Sequence, residues 1–316
     1  MAFSWKLISK PPHDFFISLD IDSYFDKEHD PAIIPESGFL RPVPLRDRDI
    51  LVNIHFNGEV ESPVFHIECD EHLSKDEVED ANSSLSRILG TDLDLKPLYE
   101  QANKDAVLSS IMNEGYGFKR ISRANLFEDT INRVIIAQIS HKPTAKKMVY
   151  GVRKEFGTLL ENQFGQVSAW PRPHRLMQAD PVGLKKHGLS LRKGEYIVGF
   201  AHLLISGELE LNALELLPPD EFYETMLTVR GVGPTTAQDL MMFRNRPDAS
   251  FPSNTSKGEE KGLRRWIILS YGGDPDNTTE NQFQKMISAW KGFEGLALEH
   301  LYLQYILNMK KKQHQK

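Results

Sequence analysis

Cysteine is almost missing: Cys69 is the only one in 316 residues. A single thiol cannot close an intramolecular disulfide, and it cannot fill a four-cysteine iron–sulfur cluster or zinc ribbon. Long apolar runs are missing too. No stretch approaches the roughly 20 apolar residues of a bilayer-spanning helix, and the opening MAFSWKLISKPPHDFFISLDID meets Asp14 and Asp20 before any uninterrupted apolar core. Neither a membrane span nor a secretory leader is expected, so the expected location is cytoplasmic. Net positive charge is the third absence. Lys and Arg total 38 against 44 Asp and Glu, for a formal charge of -6 and a pI near 6.0. The sum argues against a binder of polyanions, but distribution decides, since a contact surface needs its cations only where the phosphates lie. Acidic residues crowd the region from Asp14 to Asp105, whereas Lys142/Lys146/Lys147, Lys185/Lys186, Arg192/Lys193, Lys257/Lys261/Arg264/Arg265 and Lys310 to Lys312 form later basic clusters. Each cluster also fits a plain solvated face.

What is present is a globular composition, 40% hydrophobic and 26% charged, in a length that allows two domains with separate cores. In the first quarter FFISLDI, DILVNIHFNG and SPVFHIEC are short, rich in Phe, Ile and Val, and bounded by Pro, Gly or Asp, which predicts strands. Leu51, Ile54 and Phe56 mix with Asn53 and His55, as in a half-buried antiparallel strand. From Ser74 the period changes. KDEVEDANSSLSRILG sets Val78, Ala81, Leu85, Ile88 and Leu89 on one helical face with Gly90 as the stop, and amphipathic stretches follow through GLALEHLYLQYILNMKKK. FEDTINRVIIAQI is apolar on several sides, the pattern of a central buried helix. The expected fold is α+β: an N-terminal antiparallel sheet domain with flanking helices over residues 1–105, then an all-helical domain over residues 106–316.

LTVRGVGPTTAQDLMMF, residues 227–243, carries the most chemistry. An apolar helix ends at Val229, Gly231-Val232-Gly233-Pro234 makes a tight turn, and Thr235-Thr236-Ala237 opens another amphipathic helix. The glycines permit backbone conformations closed to other residues and close approach of another backbone. Pro234 pre-sets the first helical turn and lacks an N–H that would have no partner there. The remaining N–H groups at the new helix start make an anion site suited to a DNA phosphate. An ordinary Gly-Pro turn between core helices looks the same, so the turn alone leaves both readings open.

The turn resembles the helix-hairpin-helix of the base-excision DNA glycosylases, and other segments resemble that superfamily in the same order. LFEDTINRVIIAQIS resembles its central helix, which ends in a glutamine before a DNA-facing loop. GLSLRKGEYIVGFAHLLISGELEL resembles its Gly-x-Ser-x-Arg-Lys helix, AWKGFEGLALEHLYL its Trp-containing terminal helix, and ILGTDLDLKPLYEQA the linker helix of the bacterial 3-methyladenine DNA glycosylase II type. The resemblance implies a helix-hairpin-helix glycosylase domain behind a sheet domain, duplex DNA with a damaged base as partner, no cofactor or metal, and a monomer located at the nucleoid.

It also implies roles for particular residues. Arg230, Gly231, Val232, Gly233, Thr235 and Thr236 would hold the DNA backbone at the hairpin, with Arg192 and Lys193 beside them. A glycosylase must extrude its target because C1′ is shielded inside the stacked duplex. Gln138 and Ile139 would face that duplex, Ile139 as the apolar wedge that fills the gap. Tyr302 takes the place of a tryptophan set against the flipped base, with Trp170, Phe222 and Trp266 as further candidates for a pocket that attracts an electron-poor alkylated base. Each of these apolar side chains also fits a core position. Glycosylases that nick the strand carry a lysine directly after the Gly-Pro turn, where it forms a Schiff base with the sugar. Thr235 stands there, which implies a monofunctional enzyme that uses water and leaves an abasic site.

One departure matters. The superfamily carries an aspartate just after a Phe-Pro pair, where it stabilises the oxocarbenium-like sugar. In RPDASFPSNTSKGEEKGLRRW that place falls on Asn254, Thr255 or Ser256, none of them a carboxylate. Either a shifted loop brings Glu259 or Glu260 to the sugar, or Asp248 reaches it from the other side, or the carboxylate is lost. In the last case the protein handles only cationic bases whose glycosidic bond is already weak, or binds damaged DNA without cutting it. A helix-hairpin-helix protein in another DNA role, such as a polymerase or recombination accessory, is a third class, set against by the matches outside the hairpin.

Overall fold

A computed structural model of the protein describes residues 3–24, 33–34, 38–244, 246–248 and 263–314. The chain begins with strand β1 (Phe3–Ile8), helix α1 (Phe15–Tyr24), and strands β2 (Ile33–Ile34), β3 (Gly38–Pro44), β4 (Asp49–Phe56) and β5 (Val64–Cys69). The strands form one antiparallel sheet in the order β1-β5-β4-β3-β2. Alternation sorts its two faces. Phe39 faces Ile54 and Ile54 faces Ile67, while Val43 faces Ile50, so one face is continuously apolar. Helix α2 (Lys75–Leu89) covers that face with Ala81, Leu85, Ile88 and Leu89. Ser74 and Glu77 close a capping box at its start, and Gly90 at φ +68° ends it.

FFISLDI is a helix instead of the expected strand, because Asp14 accepts the Phe16 and Ile17 N–H groups and nucleates a turn there. The first strand is FSWKLI, pairing with β5. A second departure lies further on. Within the half expected to be all-helical, β6 (Leu159–Asn162) and β7 (Gly165–Ser168) form a two-stranded hairpin. Its Leu160, Phe164 and Val167 cover Leu40 and Leu51 on the outer face of the first sheet. The odd positions of β4 point outward, and this hairpin is what shields Leu51 from water.

The remaining chain is helical: α3 (Lys96–Ala102), α4 (Ala106–Glu114), α5 (Leu126–Ile136), α6 (Lys142–Phe156), α7 (Pro173–Met177), α8 (Leu191–Ile205), α9 (Leu211–Leu216), α10 (Pro219–Thr228), α11 (Pro234–Phe243), α12 (Leu263–Ser270), α13 (Glu280–Met286) and α14 (Glu294–His314). Helix α5 is buried from Leu126 to Asn132 and again at Val134 and Ile135, with α6, α8, α9 and α11 packed around it. The stretch LYEQANKDAVLSSIMNEG divides into α3 and α4 because Asp105 stops one helix and caps the next, accepting from the Val107 and Leu108 N–H groups at 2.9 Å. Its second oxygen accepts from Tyr271, whose hydroxyl in turn accepts from the Trp290 indole at 2.8 Å. Leu93, Leu95 and Leu98 join this Trp290 core with Ile267, Phe283 and Leu296, so the segment before residue 105 packs with the terminal helices. Across the divide, Arg87 of α2 binds Asp129 of α5 and Glu215 of α9, and Arg172 binds Asp49 and the Leu45 carbonyl. No helix among the described residues is long and apolar enough to cross a membrane.

His300 on α14 is fully buried, its Nδ1 donating to the Leu296 carbonyl at 2.9 Å. Burial holds its pKa down to about 4. Between that value and the ordinary 6.5 the unfolded chain binds a proton that the folded one excludes, so stability falls as pH drops through this window. At about 1.4 kcal/mol per pH unit the loss approaches 3 kcal/mol. Urea titrations at neutral pH and near the lower pKa should show that excess loss in the wild type and not in His300→Leu; equal pH slopes in the two proteins would contradict it.

Candidate functional site

The hairpin between α10 and α11 lies at the surface. Gly231, Pro234 and Thr235 are exposed, Gly233 and Thr236 are half-buried, and Val232 alone is tucked into the helical core. The two glycines do different work. Gly231 sits at φ +96°, and a Cβ there would stand 2.4 Å from the Tyr196 ring. Gly233 has an unstrained φ of -96°, and a Cβ there would meet nothing within 4 Å, so its missing side chain opens space on the solvent side. No side chain caps α11, which leaves its first-turn N–H groups turned toward that space. Arg230 is exposed beside them, its guanidinium 5.5 Å from the Tyr196 ring and 3.1 Å from the Glu195 carboxylate.

Helix α8 supplies those supports and also holds the neighbouring loop. Ser190 caps its first turn, and Gly194 lets it pack onto Pro181, whose carbonyl would lie 2.7 Å from a Cβ. Arg192 is exposed. Lys193, expected at the DNA surface, turns inward instead: its ammonium donates to the Ile135 and Ala137 carbonyls, each at 2.8 Å. It caps the C-terminus of α5, and burial lowers its pKa. The next residue, Gln138, has φ +62°, the one positive φ outside glycine among the described residues. Gln138 is exposed, and Ile139 is half-buried against the helical core. The first two turns of α8 therefore place the Gln138–Ile139 loop and the hairpin side by side.

Of the four aromatic candidates, the structure brings two together. Trp266 on α12 lies 5.3 Å from Tyr302 on α14 and stacks on Tyr305 at 4.6 Å. Phe222 is fully buried under the Arg244 guanidinium, 4.0 Å from its ring centre. Trp170 is 8% exposed between Arg123 and Arg153, each 5.4 Å from its ring, on the side facing the sheet. Phe222 and Trp170 pack in the core around α5, whereas Tyr302 packs against Phe118, Leu303 and Ile306.

The sequence left two charged groups of this cluster unnoticed. Arg133 of α5 and Asp239 of α11 form an ion pair, and Asp239 stands one turn beyond Thr235 on the hairpin helix. The Tyr302 phenol is pushed up by burial and then by the Asp239 charge, while Arg120 and Arg133 pull it back. Four-residue spacing from Thr235 was the available signal, since positions i and i+4 share a helix face. Glu259 and Glu260, with Asn254, Thr255 and Ser256, lie outside the described residues. Asp248 is held by Arg246, which contacts its two oxygens at 3.1 and 3.2 Å and also donates to the Leu216 carbonyl.

The hairpin is thus an exposed helix-turn-helix junction with an uncapped helix start, beside a loop strained at one residue, an arrangement with the backbone N–H groups and the space to hold an anion. No protein-family model matches the chain. A DNA-3-methyladenine glycosylase of Bacillus subtilis (strain 168) is 30% identical over 215 residues, 67% of this chain and 67% of that protein. A second B. subtilis protein, named a putative DNA-3-methyladenine glycosylase, is 24% identical over 306 residues, 94% of this chain and 97% of its own length. Among solved structures, the 3-methyladenine DNA-glycosylase from Archaeoglobus fulgidus superposes with a TM-score of 0.75 at 21% identity, covering 95% of this chain and 97% of that one. The chain belongs to the helix-hairpin-helix superfamily of base-excision-repair DNA glycosylases.

Proposed function

We propose that the protein is a monofunctional DNA glycosylase that, as a monomer, extrudes an alkylated base from duplex DNA and hydrolyses its N-glycosidic bond. One relative is named a DNA-3-methyladenine glycosylase and another a putative one, which supports alkylated purines as the first substrates to try. The observation that carries the reading is Thr235. It is exposed at the start of α11, directly after the Gly-Pro turn, where a strand-nicking enzyme would need an amine. A threonine hydroxyl forms no Schiff base, so water is the nucleophile and the product is an intact strand with an abasic site. Arg230, Gly233 and Thr236 would hold the backbone, Ile139 would fill the gap, and Tyr302 with Trp266 would take the base. One chain carries all of these on neighbouring elements, so a single copy suffices. A carboxylate from Glu259 or Glu260 would stabilise the cationic sugar; without one, only bases that leave readily from a weakened bond remain substrates.

Purified protein incubated with duplexes carrying 3-methyladenine, 7-methylguanine, hypoxanthine or 1,N6-ethenoadenine should yield strand breaks only after alkali. Breaks before alkali, or a borohydride-trapped adduct, would refute the monofunctional mechanism. Tight lesion binding with no product from any duplex would favour a damage-recognition protein that has lost the chemistry.

A further inference from the structure

Aromatic rings hold a base by its faces, whereas the identity of a base is written along its edge in donors and acceptors. Beside Tyr302 and Trp266 the charged groups come from α5 and α11. Arg133 and Asp239 meet there in an ion pair that stays open to solvent, with 26% and 30% of their side chains exposed. Arg120 brings the two helices together, lying 5.1 Å over the Phe243 ring of α11 and binding Glu299 of α14, about one turn from Asp239 and from Tyr302 respectively, which ties the pair to the aromatic cluster. Arg120 and Glu299 are both nearly buried at 12% and 6% exposure. The cluster offers a base a carboxylate whose orientation an arginine fixes.

We propose that Asp239 reads the edge of the extruded base by accepting a hydrogen bond from a ring or exocyclic N–H, with Arg133 locking its rotamer. This rests on the base site proposed above. A carboxylate is acceptor-only. It selects bases with an N–H on that edge, as in hypoxanthine, 7-methylguanine and 3-methyladenine. It rejects 1,N6-ethenoadenine, whose bridge occupies both nitrogens of that edge and leaves no donor. Because Arg133 balances the carboxylate, selection follows the donor pattern and not the charge of the base.

Duplexes with 2′-fluoro nucleotides, whose glycosidic bond resists cleavage, report binding whether or not the protein cuts. Wild-type protein should prefer the hypoxanthine duplex over the 1,N6-ethenoadenine duplex by about tenfold to a hundredfold. Asp239→Asn should lose that preference while its affinity for undamaged duplex stays within about twofold. Asp239→Glu should keep part of it. The double variant Arg133→Gln/Asp239→Asn removes both charges together; it should melt like the wild type and show no preference, which separates reading from folding. An absent wild-type preference, one that survives Asp239→Asn, or an equal fall on all three duplexes would overturn the proposal. The two readings fail separately. A preference that depends on Asp239 without any abasic product from cleavable substrates sinks the hydrolytic reading alone, and abasic product with a preference indifferent to Asp239 sinks this one alone.

Discussion

Gly233→Ala should weaken duplex binding at least tenfold while leaving the melting temperature almost where it was. The backbone at Gly233 has φ -96° and ψ 176°, which alanine adopts without strain, and the new Cβ meets no protein atom within 4 Å. Folding has no reason to suffer. The methyl would instead occupy the space in front of the uncapped α11 N-terminus, where a phosphate must come close enough for N–H donors to reach it. Charge-assisted contacts of this kind are worth about 1.5–3 kcal/mol, and 1.4 kcal/mol is already tenfold. Gly231→Ala is the contrasting variant. Its φ of +96° and the 2.4 Å approach to Tyr196 make it a folding lesion, costing roughly 2–4 kcal/mol before any DNA is present. Fluorescence anisotropy with an abasic-site duplex, paired with thermal melts, separates the two. Unchanged binding by Gly233→Ala would mean that the hairpin merely joins two helices.

Lys193→Met is expected to have the second large effect. The ammonium donates to two carbonyls at the end of α5, each at 2.8 Å, immediately before the residue held at φ +62°. A non-glycine residue in that conformation costs about 1–3 kcal/mol and persists only where its surroundings hold it. Removing the ammonium leaves two carbonyls without their donor and lets the Gln138–Ile139 loop relax away from the duplex. Affinity for an abasic-site duplex should fall more than tenfold, and base extrusion, followed by 2-aminopurine fluorescence, should fall with it. Affinity for undamaged duplex should change by about twofold or less, with an unaltered salt slope. A lysine on a phosphate would behave differently, lowering that slope by roughly one. A reduced slope would show that Lys193 meets the DNA and does not shape the loop.

How much of this was legible in the sequence depends on which interactions set each feature. The hairpin was legible because its residues are dictated locally: a glycine where φ is positive, a second where space is needed, a proline at the helix start. The capping box at Ser74 and the stop at Gly90 were legible for the same reason. FFISLDI misled, because a run of Phe and Ile satisfies strand and helix alike, and a single cap from Asp14 decides. The β6–β7 hairpin was hidden because its purpose is non-local: it exists to cover Leu40 and Leu51, more than a hundred residues earlier. Lys193 showed a basic residue in a DNA-binding context but not its direction, which the carbonyls of another helix determine. Asp239 went unnoticed because its meaning lies in Arg133 and Tyr302, on two distant helices.

The packing of Leu93, Leu95 and Leu98 around Trp290 has a bearing on how the molecule can be divided. A chain severed between Lys104 and Asp105 would strand three leucines on the wrong fragment and expose the apolar side chains around Trp290 that they cover. It would also leave Asp105, which must cap α4 and receive Tyr271 at once, at a frayed end. The segment from Leu93 to Asp105 is thus built into the core of the later helices, and a cut there would divide that core between two fragments.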